Sequence, residues 1–163
     1  MTDIAAAHER FMHEALQEAR LALQHEEVPV GAVVVADSIV IGRGHNQRRT
    51  LPDPTAHAEV LALRQAARTL GQWQLTTATL YVTLEPCIMC LGAALLSRIQ
   101  LLVFGCWDPK AGACGSQFDI VNARRLNHWF PVLSGVCEDE ASTLLRNFFQ
   151  ALRRRGGRVV EGG

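Results

Sequence analysis

Short runs of β-branched residues alternate with segments of helical periodicity along this chain, and this alternation restricts the possible folds more than any other feature. The valine-rich run at residues 30–36 is typical of a strand, and the apolar spacing within residues 4–23 is typical of an amphipathic helix. Because strands that alternate with helices form one sheet covered on both faces, we predict an α/β fold. The predicted strands are residues 30–36, 39–41, 79–84, 101–104 and 131–136, and the predicted helices are residues 4–23, 55–70, 87–97 and 139–153.

The length of 163 residues fits a single domain. We place this domain at residues 1–155 and predict a disordered, glycine-rich tail at residues 156–163. The N-terminus lacks the pattern of a signal peptide, and no apolar run approaches the roughly 18 residues that span a bilayer. Five cysteines, an odd number, fit poorly with a secreted disulfide framework. These features predict a cytoplasmic protein without membrane contact.

Sixteen basic and sixteen acidic residues give zero net charge, so the chain lacks the overall basic excess that is typical of nucleic-acid-binding domains. The charge is nevertheless uneven: residues 1–42 carry −5, residues 43–125 carry +4 and residues 126–163 carry +1. Fifteen of the sixteen basic residues are arginine, whose planar guanidinium suits phosphate and base contacts. This arginine bias fits either a nucleic-acid partner or a genomic codon preference.

Two short motifs carry recognisable chemistry, His57-x-Glu59 and Pro86-Cys87-x-x-Cys90. Cysteines three apart at the start of a helix share one face, and the helix N-terminus favours thiolate over thiol. Two thiolates and one imidazole suit Zn²⁺, and three protein ligands leave a fourth position for water, as in catalytic zinc sites. Since zinc lowers the pKa of water from 15.7 to about 7, Glu59 is the natural group to shuttle the proton.

The motifs leave other interpretations open. A single Cys-x-x-Cys pair that opens a helix after a strand is also the thioredoxin-type redox pattern. A structural zinc site would need a second pair of ligands at similar spacing, and the sequence has none. Residues two apart in a regular helix project about 200° from each other, so spacing alone does not place His57 and Glu59 on one face. We expect His57 at the irregular first turn of its helix.

Together the motifs form the signature of zinc-dependent nucleobase deaminases. The chain resembles one group of these enzymes, the bacterial tRNA-specific adenosine deaminases, over about residues 8–150. The matching stretches are residues 27–33, 53–59, 78–87, 97–99 and 103–105, together with Asp108, Lys110, Gly112, Ala113, Gly115, Ser116, Asn127, His128, Phe148 and Phe149.

The resemblance implies hydrolytic deamination of adenosine to inosine at the wobble position of a tRNA anticodon. Hydroxide attacks C6 of adenine in such enzymes, and ammonia leaves. The resemblance also implies a homodimer with one Zn²⁺ per subunit, and a cytidine-deaminase-like fold, a three-layer α/β/α sandwich around a five-stranded mixed sheet. Carried over by position, the zinc ligands are His57, Cys87 and Cys90, and the acid/base residue is Glu59.

The same resemblance supplies five substrate-binding residues. Asn46 is expected to hydrogen-bond the flipped nucleoside, and Asp108 and Lys110 lie in the loop that holds the substrate strand in this family. Phe149 and Arg153 match a closing helix that contacts the anticodon loop. Because a single-stranded loop needs cationic cover, we expect Arg153 and the two arginines after it to contact RNA.

Some residues depart from the family pattern or have a plainer interpretation. Cys106 and Trp107 occupy the substrate loop where the family has alanine and arginine, and Trp107 either stacks on a base or packs within the protein. For Phe148 we expect core packing. The alternative activity is that of a free nucleobase or nucleoside deaminase, resembling guanine deaminase. A third possibility is a zinc-bearing RNA-binding subunit without catalysis, against which the presence of Glu59 argues.

Overall fold

The computed structural model describes residues 2–123 and 125–156, so most of the predicted tail, residues 157–163, lies outside the described residues. Four helices and five strands follow one another in the order that the sequence predicts. The elements are α1 (Thr2–Gln24), β1 (Gly31–Ala36), β2 (Ile39–His45), α2 (Ala58–Leu70), β3 (Thr79–Leu84), α3 (Ile88–Leu96), β4 (Leu101–Cys106), β5 (Val132–Leu133) and α4 (Glu138–Arg154).

The five strands form one mixed sheet in the order β2-β1-β3-β4-β5. β1 runs antiparallel to both β2 and β3, whereas β3, β4 and β5 are parallel. α1 packs on β1 and α4 packs on β4 at one face of the sheet, and α2 packs on β1 and β2 at the other, with α3 beside it. The predicted α/β architecture, three layers around a five-stranded mixed sheet, is therefore confirmed.

The parallel strands place the functional region. β3 and β4 are parallel neighbours, so their carboxyl ends lie at the same edge of the sheet, and α3 begins soon after the end of β3. Ligands in open α/β sheets bind outside the carboxyl ends of the strands. Among the helices in the described part of the chain, none has the length and hydropathy that crossing a membrane requires.

Three predicted elements had wrong boundaries. β2 continues to His45, four residues beyond its predicted end at residue 41, and residues 42–45 pair with residues 31–34 of β1. α2 begins at Ala58 rather than at residue 55, because the Asp53 carboxylate accepts hydrogen bonds from the backbone and hydroxyl of Thr55 and forms a turn there. The predicted fifth strand shrinks to two residues, because Gly135 adopts a φ of 84° and ends it.

Gly42 explains why β2 and α2 approach so closely. A Cβ atom at this position would lie 2.3 Å from the carbonyl oxygen of Ala62 and 2.7 Å from the amide nitrogen of Ala66, both backbone atoms of α2. Because residue 42 has no side chain, α2 can approach the strand closely here, and the glycine does not interrupt the strand.

We therefore expect Gly42→Ala to lower the free energy of unfolding by about 1–3 kcal/mol, as in other overpacked cores, because α2 must move away from the sheet. Urea denaturation of the variant and the parent measures this difference. A change below about 0.5 kcal/mol, the range of ordinary surface substitutions, would contradict the close packing of β2 and α2.

Candidate active site

Two helix N-termini bring the His-x-Glu and Cys-x-x-Cys motifs together. His57 precedes α2 with φ −80° and ψ 150°, and Cys87 precedes α3 with φ −76° and ψ 176°. Both residues thus have extended backbone and lie outside the helical repeat, while Glu59 and Cys90 lie in the first turns. This resolves the spacing problem of His57 and Glu59, since the 200° separation applies only when both residues are helical.

His57, Cys87 and Cys90 form a compact cluster of metal-binding groups. The Nδ1 atom of His57 lies 3.4 Å from the Sγ atom of Cys90 and 3.7 Å from the Sγ atom of Cys87, and the ligand atoms all lie within 4.8 Å of one another. Usual zinc–sulfur and zinc–nitrogen distances give tetrahedral N-to-S separations of about 3.6 Å. The donor set and its dimensions therefore fit Zn²⁺, and the third donor distinguishes this cluster from a simple redox pair.

Burial and mutual hydrogen bonding set the protonation of the two thiols. Cys90 is fully buried and Cys87 is partly exposed. The hydrogen bond with Cys90 lowers the pKa of Cys87 to about 4, against the opposing effect of burial and with further help from His57. The same hydrogen bond and burial raise the pKa of Cys90. The pair thus holds one thiolate at neutral pH, and a bound cation would favour the second.

Glu59 lies beside the cluster, within hydrogen-bonding reach of the Cys90 thiol, and is only 4% exposed. Burial, followed by the negative charge of Cys87, raises the pKa of Glu59 to about 7. Near neutral pH, the Glu59 carboxyl group is therefore present in both its protonated and its ionised form.

Asn46 has an unused hydrogen-bond donor next to the cluster. Its Oδ1 atom accepts a hydrogen bond of 2.9 Å from the backbone of Ala58, the residue between His57 and Glu59. Its Nδ2 atom is buried and has no partner among the described residues. A buried amide without an acceptor costs free energy, so an outside group that accepts from Nδ2 would bind favourably.

Asp108 and Lys110 lie on the loop that follows β4. Asp108 is half-buried, and its Oδ1 atom accepts hydrogen bonds from the backbone of Lys110 at 3.1 Å and of Ala111 at 3.3 Å. Lys110 is exposed. Trp107 packs edge-on against Phe104, with 4.9 Å between ring centroids, and is 44% exposed, so it packs within the protein while its stacking on a base stays a prediction.

Phe149 and Arg153 lie on α4, which packs on the face of the sheet opposite to α2 and α3. Phe149 is half-buried and meets Phe148 edge-on, and Arg153 is exposed. Phe148 is itself only partly buried, so the expectation of core packing for it was wrong. Instead it lines a groove of about 1140 Å³ between α4, the end of α1 and residues 48–54, which we call the α1–α4 groove.

Sequence reasoning gave no role to two buried glutamates, Glu27 and Glu85, which are 3% and 2% exposed. Glu27 accepts hydrogen bonds from the backbone of Arg49 at 3.0 Å and from the backbone and hydroxyl of Thr50, both at 2.7 Å. Glu85 accepts hydrogen bonds from the loop that carries Asp108. A carboxylate directly after a buried strand, as at Glu85, was the available signal.

Known proteins are similar in sequence to this chain over nearly its whole length. A family model for MafB19-like deaminases matches residues 6–153. A tRNA-specific adenosine deaminase of Bacillus subtilis is 47% identical over 90% of this chain and 91% of its own length. The protein of the same description from Haemophilus influenzae is 47% identical over 94% of this chain and 88% of its own length.

Solved structures give the same result for the fold. A structure from work on A-to-I editing by tRNA:A34 deaminases at the wobble position superposes with a TM-score of 0.81 at 46% identity, covering 83% of this chain and 99% of that one. A guanine deaminase from Nitrosomonas europaea gives a TM-score of 0.73 at 26% identity, over 86% of this chain and 83% of its own. The guanine deaminase is thus the more distant neighbour by both measures.

Proposed function

Since the chain belongs to the family of tRNA-specific adenosine deaminases, we propose that it hydrolyses adenosine to inosine at the wobble position of a tRNA anticodon. Its fold is the cytidine-deaminase-like α/β/α sandwich that the resemblance implies. The observation that carries the activity is the buried Glu59 carboxyl beside the cluster of His57, Cys87 and Cys90. This pairing of an acid/base group with a three-donor metal site fits hydrolytic deamination.

The resident metal of the site is proposed to be one Zn²⁺ per subunit, held by His57, Cys87 and Cys90. Two sulfur donors and one imidazole nitrogen match the preference of zinc, and the dimensions of the cluster fit it. When bound, zinc lowers the pKa of a water molecule at its open position to about 7 and so supplies a nucleophile at neutral pH.

Glu59 is proposed to move the protons of the reaction. Its carboxylate takes one proton from the attacking water and delivers it to N1 of adenine as the bond between oxygen and C6 forms. It then passes the second proton to the amino nitrogen as the C6–N bond breaks. Adenosine and water thereby give inosine and ammonia, with no oxidant or other reactant needed. The burial of Glu59 keeps solvent from competing for these protons.

Asn46 is proposed to hold the reacting nucleoside. The buried Nδ2 atom donates to an acceptor of the substrate and so gains the partner that it lacks in the described structure. Because Oδ1 is fixed by the backbone of Ala58, the side chain is oriented before substrate binds. The hydrogen bond from Nδ2 thereby positions the base near Glu59, the residue that follows Ala58.

The remaining contacts are proposed to be made with the anticodon loop of tRNA. Asp108 and Lys110 lie on the loop after β4, and Phe149 and Arg153 lie on α4. An exposed arginine near a half-buried aromatic ring is the combination that single-stranded nucleic acid requires, since cations meet the phosphates and rings stack on bases. Because its proposed substrate is tRNA, we also propose a cytoplasmic location.

The test of this function is incubation with an anticodon stem-loop that has adenosine at the wobble position, followed by inosine detection. The matched control RNA has guanosine at that position, and free guanine, adenosine and cytosine are assayed in parallel for ammonia. Inosine in the first RNA alone supports the proposal. Ammonia from a free base without inosine in RNA would overturn it.

The second candidate function, deamination of free guanine, draws support from the structural neighbour of that activity. That neighbour shares 26% identity, against 47% for the tRNA-specific relatives, so the tRNA substrate is favoured. The parallel assay with free guanine separates the two activities.

We propose that the protein is a homodimer and that α3 contributes to its interface. α3 consists of apolar residues along its whole length, yet only one of its faces is buried, and Leu96 and Ile88 are 71% and 49% exposed. An apolar helix face of this kind is typical of a surface covered by a partner. A second copy fits the isologous arrangement that is commonest among soluble oligomers.

Leu96→Glu is therefore expected to convert the dimer to a monomer, because it places a carboxylate in the apolar interface. Sedimentation velocity measures the change of mass. The control is Ile4→Glu, since Ile4 is 67% exposed on α1, and this variant should remain a dimer. A monomeric parent, or a dimeric Leu96→Glu variant, would contradict the proposal.

A further inference from the structure

Glu85 has a buried carboxylate that the reaction described above does not use. It follows β3 and comes two residues before Cys87, and it is 2% exposed. It lies outside the cluster of metal-binding groups in the described residues. Because a buried carboxylate is costly unless it is well hydrogen-bonded, its surroundings should show what holds it there.

Four donors from one loop surround this carboxylate. The Oε1 atom accepts from the backbone of Asp108 at 2.9 Å and from the hydroxyl of Ser116, and the Oε2 atom accepts from the backbones of Cys114 at 3.0 Å and Ser116 at 3.1 Å. One side chain therefore joins the beginning and the end of residues 108–116. These contacts close the loop around a single carboxylate.

The loop is also shaped to fit this carboxylate. A Cβ atom at Gly112 would lie 2.2 Å from the carboxyl carbon of Glu85, so the loop backbone lies directly against the acid group. The amide of Ala113 donates to the carbonyl oxygen of Pro86 at 2.8 Å, next to the proposed zinc ligand Cys87. The loop is thus attached to the segment that connects β3 with the metal cluster.

We propose that Glu85 is a positioning residue that holds the loop of Asp108 and Lys110 in register with the metal cluster for binding of the RNA substrate. This inference rests on the proposed function for the identity of the substrate. Glu85 itself touches neither substrate nor metal. It acts through the backbone amides of Asp108, Cys114 and Ser116, whose positions fix the side chains of the loop.

The main test is Glu85→Gln in the zinc-loaded protein. Glutamine keeps one acceptor oxygen but turns an NH₂ group toward backbone amides that are themselves donors. We expect amide hydrogen exchange within residues 108–116 to accelerate at least 10-fold, with zinc content unchanged. The KM for the anticodon stem-loop should rise about 10- to 100-fold, as expected for lost charge-assisted hydrogen bonds, while kcat changes less than about threefold.

Three further variants keep the test decisive. Leu16→Ala creates a cavity beneath α1, on the face of the sheet opposite to α3, and should lower thermal stability without changing KM. Glu85→Asp keeps the charge and should restore part of the RNA affinity. If Glu85→Gln does not fold, Ser116→Ala removes one donor alone and should raise KM about three- to tenfold.

Unchanged exchange in residues 108–116, or a loss of thermal stability in Glu85→Gln with an unchanged KM, would overturn the positioning role. In Ser116→Ala, an unchanged KM would do the same. Failure of the proposed function is seen separately, as absence of inosine with the parent protein, because hydrogen exchange and zinc content are measured without substrate.

Discussion

Glu59→Ala is expected to reduce turnover of the anticodon stem-loop by about 10²- to 10⁴-fold, the usual contribution of a general acid/base. The variant lacks the buried carboxyl group that contacts the metal cluster, so neither N1 nor the leaving amino group receives its proton. Inosine formation under single-turnover conditions measures the loss directly.

The same variant should keep zinc at about one ion per chain and bind RNA with nearly the parental affinity, since the ligands and the proposed RNA contacts remain. Glu59→Gln is the matched control, because it preserves the shape of the side chain and removes only its acid/base function. Loss of zinc from Glu59→Ala would show that Glu59 is structural. A parent that binds RNA but forms no inosine would instead support a non-catalytic RNA-binding subunit.

The alternation of strands and helices was predictable because β-branched runs and helical periodicity are local features of the sequence. The errors arose where a distant element decides the conformation. Gly42 and Gly44 resemble loop residues in isolation, but both are strand residues whose missing side chains allow α2 to approach. Phe148 is a large apolar residue of the type usually found in a protein core, yet it lines the α1–α4 groove instead.

The candidate site, like the fold, was predicted in part. The residues of its two motifs, His57, Glu59, Cys87 and Cys90, could be found from type and spacing, and the structure brings them together. The extended backbone of His57 could not be derived from spacing, because it depends on how residues 53–57 turn before α2. Glu85 was missed because its partners are mainly backbone amides, which have no signature in the sequence.

The zero net charge is informative only once the charges are placed. Much of the acidic excess of α1 is paired within the protein, since Arg43 lies 3.1 Å from Glu14 and 3.5 Å from Glu18, and His45 lies 3.3 Å from Glu18. Acidic side chains engaged in this way contribute less to the field that an approaching RNA meets. Local arrangement rather than total charge therefore decides electrostatic steering, and neutrality does not argue against a nucleic-acid substrate.

Cys90→Ala is expected to lower zinc content from about one ion to less than about 0.1 per chain and to abolish inosine formation. A two-ligand site binds zinc weakly, and without the metal no nucleophile forms near neutral pH. Metal analysis after dialysis, with a parallel deamination assay, measures both losses. The control is Cys106→Ala, which removes another buried thiol that lies outside the cluster and should keep zinc and activity.

The zinc-free protein should nevertheless stay folded, because the core that includes Met12, Leu80 and Phe104 does not involve the metal site. Zinc then acts as a ligand of the native state and stabilises it by about 4 kcal/mol at 1,000 times its dissociation constant. For a chain of this size that corresponds to a Tm shift on the order of 10 °C, lost on chelation and absent in Cys90→Ala. Global unfolding of the parent on chelation, seen as loss of far-ultraviolet circular dichroism, would mean that the metal is structural. Undiminished inosine formation by metal-free protein would remove zinc from the mechanism.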